Sequence, residues 1–285
     1  MTSTIGNPLS WGARHIGAAG HGLAEAARHA GGDRAEGMPR LRQIGIGDLR
    51  AALRAGLDDF LAFRTDVVLA CLLYPVIGFC LIWLSYHQAI LPLVFPLVSG
   101  FALVGPAAAI GLYELSRRRE AGESPGWGAM GSVVHAPGFG AILMLSAGLA
   151  VVFVLWLLTA WVLHGLTMGP EPYPGALAFV QEVLTTRGGW TMMLVGIPLG
   201  LCFALAVLAV SVVSFPLMLA RDVGLPVAVV TSARLFRQNP GTVLAWGAIV
   251  AAGLVVGALP FLLGLAVTLP VLGHATWHLY RRAVV

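Results

Sequence analysis

Residues 139–163 read FGAILMLSAGLAVVFVLWLLTAWVL, without one charged side chain. The hydrocarbon core of a bilayer is about 30 Å thick and takes roughly 20 apolar residues at the rise of an α-helix. This stretch is long enough to cross it, and it is apolar all round, as a buried or lipid-facing helix must be. The rest of the chain agrees. Of its 285 residues, 58% are hydrophobic and 11% charged, whereas a soluble domain carries about 25% charged residues. Charges this sparse cannot coat a soluble globule of this size.

Outward from that segment lie further apolar runs at 67–86, 89–113 and 190–214. Residues 240–279 form a single uncharged stretch, too long for one span, with Ala258, Leu259 and Pro260 near its middle. It divides into a hairpin of two spans, 241–257 and 260–280. The expected fold is therefore all-α: a polytopic bundle with six transmembrane spans over residues 66–285. Ahead of it, residues 40–65 hold an amphipathic helix. Leu49, Leu53, Leu57, Phe60 and Leu61 recur at helical steps, with Arg50, Arg54, Asp58 and Asp59 assigned to the other side. Such a helix belongs in the headgroup region or docked on the bundle. Residues 1–39, rich in Ala, Gly, Arg and His, read as a flexible tail without a cleavable signal peptide.

Orientation follows from the basic residues, all seventeen of which are arginine. With six spans and the N-terminus inside, the inner side receives every arginine except Arg187, including Arg117–Arg119, Arg221, Arg234, Arg237, Arg281 and Arg282. The positive-inside rule then puts both termini in the cytoplasm. A five-span chain would send Arg281 and Arg282 outside. The net charge of +4 does not point to nucleic acid, because the arginines flank apolar runs instead of lining one face. Two inner loops are built alike. Ser124-Pro125 to Pro137 and Pro226 to Asn239-Pro240 each frame a short helix. The outer loop, about 164–189, holds Pro170, Pro172, Pro174, Glu171 and Glu182 and reads as a surface loop.

Three stretches carry a family resemblance. The first is Ile46-Gly47-Asp48-Leu49 with Ala52-Leu53-Arg54-Ala55-Gly56 and Asp59-Phe60. The second is Phe95-Pro96-Leu97-Val98-Ser99-Gly100-Phe101 with Gly105-Pro106 and Gly111-Leu112-Tyr113-Glu114-Leu115-Ser116-Arg117. The third is Leu269-Pro270-Val271-Leu272-Gly273-His274-Ala275-Thr276-Trp277-His278-Leu279-Tyr280-Arg281. Over residues 40–283 the chain resembles a bacterial family of uncharacterised integral membrane proteins, a domain of unknown function. The resemblance implies a membrane location and a multi-span helical fold, and it assigns no activity and no functional residues.

Chemistry-bearing residues are few. No Asp, Glu or Arg falls in the middle of a span, which argues against ion-coupled transport. Cys71, Cys80 and Cys202 lie in apolar runs and read as small buried hydrophobes. Ser146, Ser211 and Ser214 have no base nearby in sequence and read as hydroxyls bonded to their own helices. Gly105-Pro106, Gly196-Ile197-Pro198 and Pro75-Val76-Ile77-Gly78 read as kinks or close-packing points. The one constellation is His274 and His278, which share a helix face at a spacing that can ligate zinc or haem. With Trp277 and Tyr280 beside them as membrane-interface anchors, they read as structural, with no metal and no cofactor expected. The sequence favours a non-enzymatic accessory or scaffolding component of the bacterial inner membrane, whose partners are the lipid bilayer and other membrane proteins. The alternatives are a transporter or channel for a small neutral or apolar molecule, and a metal- or haem-binding protein using His274 and His278.

Overall fold

The computed structural model describes residues 38–72, 75–80, 83, 91–123, 126–169 and 173–285. The expected tail up to residue 37, much of the expected first span, His87, Ser124-Pro125 and Pro170-Glu171-Pro172 lie outside the described residues. Among the described residues the fold is all-helical, with one isolated β-bridge.

Helix α1, Ile46–Cys71, starts where Asp48 accepts the Gly45 N–H at 3.0 Å and places its charge at the positive end of the helix. It runs through residue 65 without a break, so the amphipathic segment and the start of the first apolar run are one helix, not two units. Its buried face is also rotated from the expected one. Leu49, Ala52, Asp59 and Phe60 are buried, whereas Leu57 and Leu61 are 44% and 53% exposed. Asp59 thus sits on the inward face, opposite to its assignment from the sequence.

Helices α2 (Val94–Ala108) and α3 (Ile110–Glu120) meet at Ala109, three residues after Pro106. Backbone hydrogen bonds carry through the junction: Ala109 N–H donates to the Gly105 carbonyl at 2.9 Å, and Tyr113 N–H donates to the Ala109 carbonyl at 3.1 Å. A 3-10 helix, Trp127–His135, follows in the stretch that precedes Pro137. Helix α4 is Phe139–Thr167, α5 is Ala176–Thr185 and α6 is Arg187–Ser211. A two-residue turn separates α6 from α7, Ser214–Ala220. Helix α8, Leu225–Gln238, has proline in its first turn and ends just before Pro240, as its framing prolines predict. Helices α9 (Pro240–Ala258) and α10 (Leu265–Ala283) form the expected hairpin. Its turn holds Phe261 and Leu262 at positive φ. Gly264 is needed there, because a Cβ would come within 2.8 Å of the Gly257 carbonyl oxygen.

Among the described residues, four stretches are long and apolar enough to cross a membrane by length and composition: Leu91–Glu120, Phe139–Thr167, Arg187–Ala220 and Pro240–Ala258. Their apolar side chains point mainly outward. Only 28% of the most apolar window of Phe139–Thr167 and 6% of that of Arg187–Ala220 is buried in the protein. Trp161, Leu166, Leu194 and Ile197 stand exposed on them, a surface that lipid covers and water does not. The same geometry corrects the reading of Cys80 and Cys202, which are exposed free thiols: in a bilayer protein an apolar run faces lipid as readily as it faces the core. Helix α10 is different. Its polar side chains keep it out of that group of four, and it is packed inside the molecule against α1, α3 and α9.

The core lies toward one end of the bundle. Phe215, Leu217 and Met218 of α7 are fully enclosed, with α3, α4, α8 and α10 around them. At this end the two ends of the described chain also meet. Leu41 and Val284 form the antiparallel bridge, Arg42 N–H donates to the Ala283 carbonyl at 2.9 Å, and Val285 N–H donates to the Arg40 carbonyl at 3.0 Å.

Candidate functional site

Helices α1 and α10 run antiparallel: Asp48, Asp59 and Phe63 successively face Arg282, His278 and His274. Small residues allow the approach. A Cβ on Gly56 would fall 2.5 Å from the Ala275 backbone nitrogen, and one on Gly273 would fall 2.5 Å from Leu112 of α3. Helices α1 and α10 therefore pack almost backbone to backbone, with the Leu112 side chain of α3 seated on Gly273, and the polar side chains between the three helices must satisfy one another.

Asp59 is the centre of that arrangement. Its Oδ2 accepts from Ser116 Oγ at 2.6 Å and from His278 Nε2 at 2.8 Å, and its Oδ1 accepts from Arg119 at 2.6 Å. The Arg119 guanidinium also lies 5.8 Å from the centre of the Phe63 ring. Burial pushes the Asp59 carboxyl up, but the hydrogen bonds from His278 and Ser116 outweigh that and hold it below the ordinary 3.8. His274 Nδ1 is 2.7 Å from Ser116 Oγ. The serine has one hydrogen, which goes to Asp59, so Nδ1 carries the proton and donates to the hydroxyl. Nε2 of His274 is then a buried acceptor without a hydrogen-bond partner.

Around this centre, every polar side chain at the end of α10 is tied to the same cluster of helices. Trp277 Nε1 donates to Glu120 at 3.0 Å, and Arg281 reaches the other oxygen of Glu120 at 2.9 Å. Tyr280 lies tilted against Trp277 and next to Arg221. Both aromatic side chains are enclosed. They are internal struts, not the lipid-facing anchors expected from the sequence, because Glu120 supplies an internal partner for the indole N–H. On the neighbouring face of α3, Glu114 binds Arg117, Arg118 and Ser132.

The structure brings the two candidate histidines together with a carboxylate that the sequence reading placed on the solvent side. The signal for Asp59 was present: it falls seven residues after Ala52 and three after Gly56, on the stripe that packs, while Asp58 points away. Ser116, Asp59 and His274 have the composition of a nucleophilic triad but not its order. In a triad the imidazole stands between serine and carboxylate and takes the serine's proton; here the serine stands in the middle and donates to the carboxylate. Among the described residues, no group of three His, Cys, Asp or Glu side chains is arranged to hold a metal ion. His135 is exposed, and His164 lies at the other end of the 29-residue α4, bonded to Tyr173 at 3.0 Å. Ser146, Ser211 and Ser214 each donate to the carbonyl four residues back, as expected from the sequence.

No curated protein and no solved structure matches the chain. A family model does match, over residues 94–220. That interval runs from α2 through α7 and contains Ser116 and Arg119 but not Asp59, His274 or His278. Over that interval the chain matches the model of a family described as predicted integral membrane protein (DUF2189), a domain of unknown function.

Proposed function

We propose that the protein is a six-span component of a bacterial inner membrane, with both termini in the cytoplasm, acting as a non-enzymatic scaffold or accessory subunit for other membrane proteins. The observation that carries this reading is the solid junction of α1, α3 and α10. Gly56 lies against the α10 backbone and Gly273 against the Leu112 side chain, and the junction's charges are matched by internal partners. The alternative, a transporter or channel for a small neutral or apolar molecule, calls for a polar, water-accessible cavity between the two halves of the bundle. A groove of about 410 Å³ between Leu155, Leu158, Val162, Leu166 and Leu199 is instead apolar and lies on the lipid-facing side of α4 and α6.

The topology draws support from the pairing of Leu41 with Val284. Two residues joined by backbone hydrogen bonds share one side of the bilayer, so the number of crossings between them is even. The arginine distribution selects that side as the cytoplasm. The test is purification from native membranes in a mild detergent, with identification of what accompanies the protein. The scaffold reading expects a membrane protein retained in fixed ratio. A lone monomer that conducts a small neutral solute across proteoliposomes would replace it with the transporter reading.

A further inference from the structure

We propose that the cleft bounded by Arg234, Arg237 and Gln238 at the end of α8 binds the phosphate of an anionic phospholipid headgroup. The cleft encloses about 360 Å³. Its arginines differ from most others at this end of the molecule. Arg42, Arg117, Arg118, Arg119, Arg281 and Arg282 each have a carboxylate within 4.0 Å. Among the described residues, Arg234 and Arg237 have none. Two unpaired guanidiniums beside one another repel, and a shared anion relieves both; the planar donor fork suits phosphate in particular.

The position sets the kind of phosphate. Gln238 is two residues before α9, one of the four helices apolar enough to cross a membrane, so the cleft stands at headgroup depth. The first turn of α9 has no side-chain cap. Asn239, which would supply it, is committed elsewhere: its Oδ1 accepts from Ile44 N–H and its Nδ2 donates to the Leu235 carbonyl. The free N–H groups of that turn add positive potential next to the arginines in the chain. On α8 itself, Val230 lies four and seven residues before Arg234 and Arg237, on the same face, and is 41% exposed. It offers apolar surface to an acyl chain whose phosphate the arginines hold.

The test measures binding of fluorescent phosphatidylglycerol to the full-length protein in detergent, with phosphatidylcholine and inorganic phosphate as competitors. Unlabelled phosphatidylglycerol should displace the probe, and neither competitor should. The double variant R234Q/R237Q should bind roughly thirtyfold more weakly, at about one surface arginine's contribution each. The double variant R50Q/R54Q removes two other arginines that line neither cleft, and it should bind as the unaltered protein does. The proposal is overturned if R234Q/R237Q retains full affinity, if R50Q/R54Q loses as much, or if inorganic phosphate alone displaces the lipid. All four positions are exposed, and monodisperse elution of each variant checks that it folds.

Discussion

Asp59 has the most consequential environment of any residue in the chain. It receives hydrogen bonds from partners 57, 60 and 219 positions away, which is why the sequence did not reveal it. Periodicity identifies apolar faces, and a carboxylate drawn inward by remote partners violates the pattern it would be judged by. Asp59→Ala should lower stability in detergent by about 3 kcal/mol, the usual consequence of leaving the other half of a buried ion pair unmatched. Acid should act the same way. A carboxyl held below 3.8 in the folded state stabilises fully above that value, and the contribution is lost as pH falls through the folded-state value. Melting curves across that range should show a steep acid limb in the unaltered protein and a shallower one in Asp59→Asn. The histidines permit a sharper comparison. Replacing both His274 and His278 by glutamine should keep stability nearly intact, because an amide can still donate to Ser116 and Asp59. Replacing both by leucine should cost about 2 kcal/mol or more, since a hydrogen bond to a charged group contributes about 1.5–3 kcal/mol.

Among the helices, α10 was read from the sequence as an ordinary span over 260–280, and its hairpin with α9 was legible there, whereas the helix itself is Leu265–Ala283. Its enclosure by α1 and α3 was not legible, because close packing is written in single small residues whose partners lie elsewhere in the chain. Gly56 and Gly273 look no different in the sequence from Gly148, yet Gly148 faces open space and the other two face neighbouring backbone or side chain. Gly56→Ala should therefore overpack the α1–α10 contact and destabilise by about 1–3 kcal/mol. Gly148→Ala, in the middle of α4, should be neutral or slightly stabilising, because alanine costs a helix less entropy than glycine. Unfolding of both variants in the same detergent checks the pair. Equal effects would mean that α1 and α10 are not in backbone contact.

For the whole molecule, one end of the bundle is closed where residues 41 and 284 pair, and the long apolar helices present their surface to lipid. Residues opposed across an antiparallel bridge have Cα atoms about 4.5–5.5 Å apart, within the range a disulfide requires. Leu41→Cys with Val284→Cys should thus cross-link on mild oxidation in native membranes, and Leu41→Cys alone should not. The long apolar runs made the membrane fold readable from the sequence, whereas the pairing of residues 41 and 284 needed the structure. The measurement that bears most directly on the account is the sidedness of reporter fusions after Glu120, Glu182, Gln238 and Val285. Six spans with paired cytoplasmic ends predict inside, outside, inside and inside. A C-terminal fusion reporting outside, with the Glu120 fusion still inside, would contradict it.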